Sequence, residues 1–120
     1  MIVRQLEADA GAQPVDVRVL EALVGSEPAV VRDFLQDFRA SAARIAAELG
    51  VAFEHDQAAQ AAALAHELKS SARAVGALAL GEVCEEIERA GRAADTESLR
   101  ASWRRFEVEA RAVEEYLASL

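Results

Sequence analysis

The sequence predicts an all-α fold: an antiparallel four-helix bundle with a short additional helix at its N-terminal end. Three observations carry this. Of 120 residues, 28 are alanine, a residue that favours helix and lets helices approach closely. Only six glycines and two prolines interrupt the chain, leaving long stretches without breakers. Apolar residues then recur at steps of three and four, the period of one helix face. One domain accounts for the whole length.

Residues 1–14 mix charges, alanine and Gly11 and stop at Pro14, which predicts a loosely ordered lead-in before a domain over 15–120. Asp16 caps a short helix to Val24, and Gly25 ends it. Ser26-Glu27-Pro28 restarts the chain, with serine as cap and proline in the first turn. Val31, Phe34 or Leu35, Phe38, Ala42, Ile45 and Leu49 give a long amphipathic helix ending near Gly50. Residues 51–55 connect it to a helix capped by Asp56, whose seam is Ala61, Ala65, Leu68, Ala72 and Val75, with Gly76 as its left-handed stop. The next seam is Leu80, Val83, Ile87, Ala90 and Ala94, with Cys84 beside it. Asp95 or Thr96 caps the last helix, on which Leu99, Trp103, Phe106, Ala110, Val113, Leu117 and Leu120 alternate four and three to the C-terminus. The connectors are too frequent and the seams too alanine-rich for a long coiled coil to lead.

Composition removes several function classes. A net charge of −8 opposes nucleic-acid binding, which needs a basic face. No apolar run approaches the roughly 18 residues that span a membrane, and the first residues lack the pattern of a secretory signal. A single cysteine, Cys84, forms no internal disulfide, in keeping with a reducing compartment. A soluble, cytoplasmic protein is expected. Beginning at Met1 and ending within a helix favour a free-standing protein over a module of a larger kinase.

The informative stretch is Ala65-His66-Glu67-Leu68-Lys69-Ser70-Ser71-Ala72-Arg73. At about 100° per residue, His66 lies roughly 140° from its helix's apolar seam and so faces water. Lys69, Ser70 and Arg73 follow on the same side. Upstream, Ala59, Ala62 and Ala63 leave the turn before the histidine almost bare, which gives another protein's surface room to approach the ring. An alanine-rich helix in an alanine-rich protein accounts for that bareness equally well. Imidazole offers a nucleophilic nitrogen near neutral pH, and a lysine one turn on can neutralise an anion developing there. A histidine with a cation at i+3 and no carboxylate relay nearby suits covalent transfer of an anionic group, phosphoryl being the natural candidate.

Other chemistry fits worse. His66-Glu67 begins the zinc motif H-E-x-x-H, but position i+4 is Ser70. His55-Asp56 is turn chemistry, Cys84 packs in the core, and no metal site is expected. Pairs such as Glu85-Glu86 and Glu114-Glu115 read as solvated faces.

The box Ala65-His66-x-Leu68-Lys69-x-Ser71-x-x-x-Val75-Gly76-Ala77, followed by Leu80, Cys84 and Ile87-Glu88, resembles the signature of histidine-containing phosphotransfer (HPt) domains of multistep phosphorelays. With Val19-Leu20-x-x-Leu23 and Phe34-Leu35-x-x-Phe38, the resemblance extends over about residues 15–117. It implies a four-helix bundle on which His66 accepts a phosphoryl group from a receiver-domain aspartate of a hybrid sensor kinase. The group then passes to a response-regulator receiver. Lys69 would steady the phosphoryl oxygens, and Glu88 and Arg92 would join Ala59, Ala62, Ala63, Ser70 and Arg73 on the docking surface. The family commonly has glycine where this chain has Ser70. A phosphocarrier of this kind has no kinase activity and no cofactor of its own, the Mg2+ belonging to the partner receiver, and it is expected to be a monomer.

The stretch is also similar to the H-E-L-R-T-P box of sensor histidine kinases. Ser71 stands where that proline falls, however, and 120 residues leave no space for an ATP-binding domain. Two further readings stay open at this stage: a helical adaptor that binds receivers without phosphotransfer, and dimerisation through the last helix.

Overall fold

The caps expected at Asp16 and Asp95 and the stop at Gly76 set the frame of the protein. A computed structural model describes residues 13–120, so the expected lead-in falls almost entirely outside the described residues. Five helices follow in order: α1 (Val17–Val24), α2 (Pro28–Glu54), α3 (Ala58–Val75), α4 (Leu78–Arg92) and α5 (Thr96–Ala118). The last four form the bundle, and α1 packs across one end against α2 and α3. The all-α fold expected from the sequence is the fold observed.

At α1, Asp16 Oδ1 accepts the Arg18 backbone N–H at 3.2 Å, and Gly25 closes the helix at φ 91°. Asp95 caps α5 by accepting from both the backbone N–H and the hydroxyl of Ser98. The three turns joining the bundle helices close in one way. The N–H of Gln57 donates to Ala52 O, that of Ala77 to Ala72 O and that of Asp95 to Ala90 O, each at 2.8–2.9 Å. Each bond skips a left-handed residue, Asp56, Gly76 and Ala94 respectively. This is the Schellman closure, which satisfies carbonyls the helix end leaves open.

That closure corrects three expectations. Asp56 ends α2 at φ 54° rather than capping α3, whose cap residue is Gln57. Aspartate tolerates the left-handed region better than most residues, so it takes the turn position. Ala94 leaves the α4 seam for the same kind of position and is exposed. The long helix does not stop near Gly50 but continues to Glu54. A glycine within a helix costs about 1 kcal/mol. Burial of Ala52 and stacking of Phe53 on Trp103, with ring centroids 4.6 Å apart, offset that cost. At the start of α2, Glu27 rather than Ser26 is the cap, with Pro28 opening the helix as expected.

The core follows the predicted seams. Leu35, Phe38, Ile45 and Leu49 of α2 meet Ala61, Ala65, Leu68, Ala72 and Val75 of α3, Leu80, Val83 and Ile87 of α4, and Leu99, Phe106, Val113 and Leu117 of α5. Each fully buried leucine or phenylalanine contributes roughly 1.5–3 kcal/mol by leaving water. Leu35, not Phe34, is the seam residue. Phe34 and Leu120 are exposed, the latter just beyond the end of α5.

Two close approaches position the site. Gly76 needs its left-handed φ of 89°, and a Cβ there would overlap the carbonyl of Asp16. Asp16 N–H donates to Gly76 O at 2.9 Å, pinning the start of α1 to the α3–α4 turn. At the other end of α4, a Cβ on Gly91 would stand 2.6 Å from Ala58 O and 2.9 Å from Ala62 Cβ. Glycine facing alanine therefore brings α4 closer to α3 than any larger pair would allow.

Candidate functional site

His66 sits mid-way along α3 with its side chain 59% exposed, pointing to solvent as its phase requires. The close approach at Gly91 and Ala62 brings α4 alongside it, and Glu88 of α4 reaches the ring. His66 Nδ1 lies 3.0 Å from Glu88 Oε2. Lys69 Nζ donates to Glu88 Oε1 at 2.7 Å, and Arg92 pairs with Oε2 at 2.6 Å from one turn further along α4. The carboxylate is itself only 7% exposed. One buried carboxylate thus gathers the histidine and two cations.

The Lys69 hydrogen bond holds the Glu88 carboxyl below its ordinary range; burial opposes this, and His66 and Arg92 add to the lowering. An ionised carboxylate can only accept, so the proton of a neutral His66 ring resides on Nδ1. Nε2 is left with its lone pair. The expected absence of a carboxylate relay is therefore corrected: the relay exists, but it comes from the neighbouring helix. A signal for it was present in the sequence. Glu88 follows Cys84 by four residues and Ile87 by one, a slot on the apolar side of α4 where an unpaired charge is costly.

The remaining predicted residues separate into two groups. Ala59, Ala63, Ser70 and Arg73 are exposed on the histidine's face, as expected. Arg73 pairs with Glu85 at 3.1 Å. Ala62 does not belong there: it is 4% exposed and pressed against Gly91, so its side chain cannot line a docking surface. Its phase was close enough to the histidine's to look exposed, and the proximity of α4 covers it. Glu88 is likewise buried rather than part of an open surface, while Arg92 is exposed at its edge.

Glu67, which has no role in the sequence pattern, pairs with Arg44 of α2 at 2.9 Å and so ties the far flank of the histidine helix to α2. The Ser71 hydroxyl donates to Leu68 O at 3.1 Å. The acidic pairs expected to be simply solvated have partners: Glu85 with Arg73, Glu86 with Arg105 and Glu114 with Arg39. Cys84 is fully buried behind the site, and burial pushes its thiol up to about 12, which makes it an inert core residue. Among the described residues no group of three or more His, Cys, Asp or Glu side chains converges as a metal site, and no helix is long and apolar enough to cross a membrane.

Beside this face, Leu23 of α1 and Phe34 of α2 are exposed at the rim of a groove that also includes Glu67, Ser71 and Ala74. Sequence reasoning placed the docking surface around the histidine on α3, from Ala59 to Arg73, and on α4 at Glu88 and Arg92. Leu23 and Phe34 stand in the quoted apolar pattern, but nothing in periodicity distinguishes an exposed apolar residue from a seam member.

The bundle thus presents a solvent-facing histidine whose ring lies against a buried glutamate held by a lysine. The sequence model of the Hpt domain matches residues 33–120, and the chain belongs to the Hpt domain family. Proteins of this family are histidine phosphotransfer proteins of phosphorelays, phosphocarriers rather than kinases, and they interact with receiver domains. Among solved structures the fold is similar to histidine-containing phosphotransfer protein B (HptB) from Pseudomonas aeruginosa PAO1. The TM-score is 0.80 at 23% identity, over 90% of this chain and 94% of that one. No curated protein matches the sequence.

Proposed function

We propose that His66 is the phosphorylated residue, taking its phosphoryl group from the aspartyl phosphate of a hybrid sensor kinase's receiver domain and delivering it to the receiver of a response regulator. The observation that carries this reading is the Glu88 bond to Nδ1, which leaves Nε2 as the exposed nucleophile. The Nε2 lone pair attacks phosphorus in line, the bond from phosphorus to the aspartate oxygen breaks, and the donor carboxylate leaves with its electron pair. The positive charge that develops on the ring lies against Glu88 through the retained Nδ1–H. Delivery runs the same step in reverse to a second aspartate.

Lys69 holds Glu88 with one of its three N–H donors, so the others remain for a phosphoryl oxygen. It therefore acts on both sides of the ring: it keeps Glu88 ionised and it meets the incoming charge. The divalent ion of the reaction belongs to the receiver. Residues 15–120 form the working unit, which acts as a cytoplasmic monomer. The receiver approaches over Ala59, Ala63, His66 and Ser70, with Arg73 and Arg92 on one flank and the apolar Leu23 and Phe34 beside the far end. An apolar anchor next to a bare backbone face is what a specific but short-lived protein contact requires.

The test is incubation with a phosphorylated receiver. Wild type takes up an acid-labile, alkali-stable phosphate, and His66→Gln takes up none. Equal labelling of both proteins, or labelling of neither by receivers encoded beside the gene, would sink the assignment.

A further inference from the structure

Gly81, near the start of α4, is buried, yet its backbone does not call for glycine: among the described residues the glycines at positive φ are Gly25 and Gly76. What it supplies is space. A Cβ there would stand 2.9 Å from Arg73 Cγ, 3.5 Å from its Nε and 3.7 Å from its Cδ, and these are its nearest neighbours. The stem of Arg73 therefore lies flat across α4 in the gap. Its guanidinium donates to Glu85, one turn further along α4, at 3.1 Å.

Stability does not account for this arrangement. Both side chains of the Arg73–Glu85 pair are close to half exposed, and such a pair returns no more than a glycine in a helix costs. What the arrangement fixes is a position. Arg73 follows His66 by seven residues on the same face, within about 10 Å of it along α3. The bond to Glu85 uses one of a guanidinium's five N–H donors and leaves a planar fork for a carboxylate of another molecule. The flank is also rich in cations for a chain of net charge −8: Lys69, Arg89 and Arg92 line the adjoining cleft with Glu85 and Glu88.

We propose that, with a receiver as the partner of His66 as above, Arg73 selects that receiver by taking an aspartate or glutamate side chain on its docking face. That carboxylate lies about 10 Å from the aspartate that exchanges phosphate, as Arg73 does from His66. The guanidinium is already held before the partner arrives, so association does not have to order a long side chain. Gly81 lies beneath the stem and touches neither partner nor phosphate. It is a positioning residue that acts through Arg73.

The test titrates receivers encoded beside the gene into the full-length protein by calorimetry and uses their phosphorylated forms in transfer assays. Arg73→Ala and Gly81→Ala should each weaken association and raise KM about tenfold, with kcat changed less than about twofold. The double variant should lose no more than Arg73→Ala alone, and Arg73→Lys, which keeps the charge without the fork, should recover only part. Added salt should weaken the wild-type association more steeply than that of Arg73→Ala. Gly81→Ala should unfold at a denaturant midpoint no lower than that of wild type. Wild-type association in either single variant, additive losses in the double variant or equal salt dependence would overturn the proposal. So would a lowered midpoint in Gly81→Ala, or receivers that do not associate at all. Should transfer fail in wild type while Arg73→Ala still weakens association, the assignment of His66 fails and the contact stands.

Discussion

The two long sides of the bundle use the same residue to opposite ends. Between α3 and α4, Ala62 faces Gly91, the backbones come together, and a glutamate from one helix reaches a histidine on the other. Between α2 and α5, alanines line the walls, but Phe106 and Trp103 stand on the facing helix, and an Arg39–Glu114 pair bridges above a cavity. Alanine content alone therefore says nothing about how closely two helices pack. What decides is the size of the residue opposite. Small against small gives contact; small against large gives either a stacked ring, as at Gly50 and Trp103, or open space.

The largest effect should come from forcing the tight side apart. Gly91→Leu puts atoms where Ala58 O and Ala62 Cβ already stand, and Ala62→Arg forces a long charged side chain into the buried contact with Gly91. Each should cost about 3 kcal/mol or more in chemical denaturation, whereas Ala63→Arg, one residue on and exposed, should cost about 0.5 kcal/mol or less. Equal losses at positions 62 and 63 would break the contrast.

Next comes Glu88→Gln, which keeps the size and an acceptor but removes the charge opposite the developing imidazolium. Transfer to and from His66 should slow by on the order of ten- to a hundredfold in rapid-quench experiments while the far-ultraviolet circular dichroism is unchanged. An unaltered rate would leave Glu88 a purely structural partner.

The pH dependence follows from the same residue. Glu88, Asp16, Asp95 and Glu114 all have folded-state values held below the ordinary carboxylate range by hydrogen bonds to Lys69, Arg18, Ser98 and Arg39 respectively. A depressed folded-state value means that stability is fully present above the ordinary carboxylate pKa, about 4, and is lost as pH falls through the depressed values. Melting temperature should therefore hold between pH 5 and pH 7 and fall below about pH 4, with a shallower fall in Glu88→Gln. A protein that loses its stability already near pH 6 would contradict this. On the open side, Arg39→Ala should change the denaturation midpoint very little, because both partners of its pair are substantially exposed.

The smallest effect is a gain. Ala94 holds a left-handed φ of 52° at the α4–α5 turn, and Ala94→Gly should stabilise the protein by about 0.5–1 kcal/mol in the same denaturation assay. Destabilisation there would mean that the alanine methyl contributes more than its backbone strain costs.

Much of this was legible in the sequence, and the failures share a cause. The seams, the Asp16 and Asp95 caps, the Gly76 stop and the outward histidine all depend on local spacing, which periodicity reports directly. Ala62, Glu88 and the end of α2 depend on what a second helix does. Ala62 is buried because α4 approaches it; Glu88 meets His66 across that same contact; α2 runs past Gly50 because Phe53 finds Trp103. A single helix's pattern carries no record of its neighbour's distance. The resemblance to HPt domains agreed with helix phase in marking His66 and Lys69 as site residues, yet it placed Glu88 on an open docking surface, where the structure buries it. The chemical type of the residue, an acid in an apolar slot, was the better guide.

Glu88 has one further consequence. Its carboxylate takes donors from two helices, so the cluster of His66, Lys69, Glu88 and Arg92 is complete only while α3 and α4 remain in register. A chain that has slipped or partly melted at this contact still carries His66, but its ring is free to exchange tautomers and no longer has a counter-charge. On the role proposed for His66, competence to carry phosphate is a readout of correct assembly: a damaged or incompletely folded copy falls silent in the relay instead of passing on a spurious message.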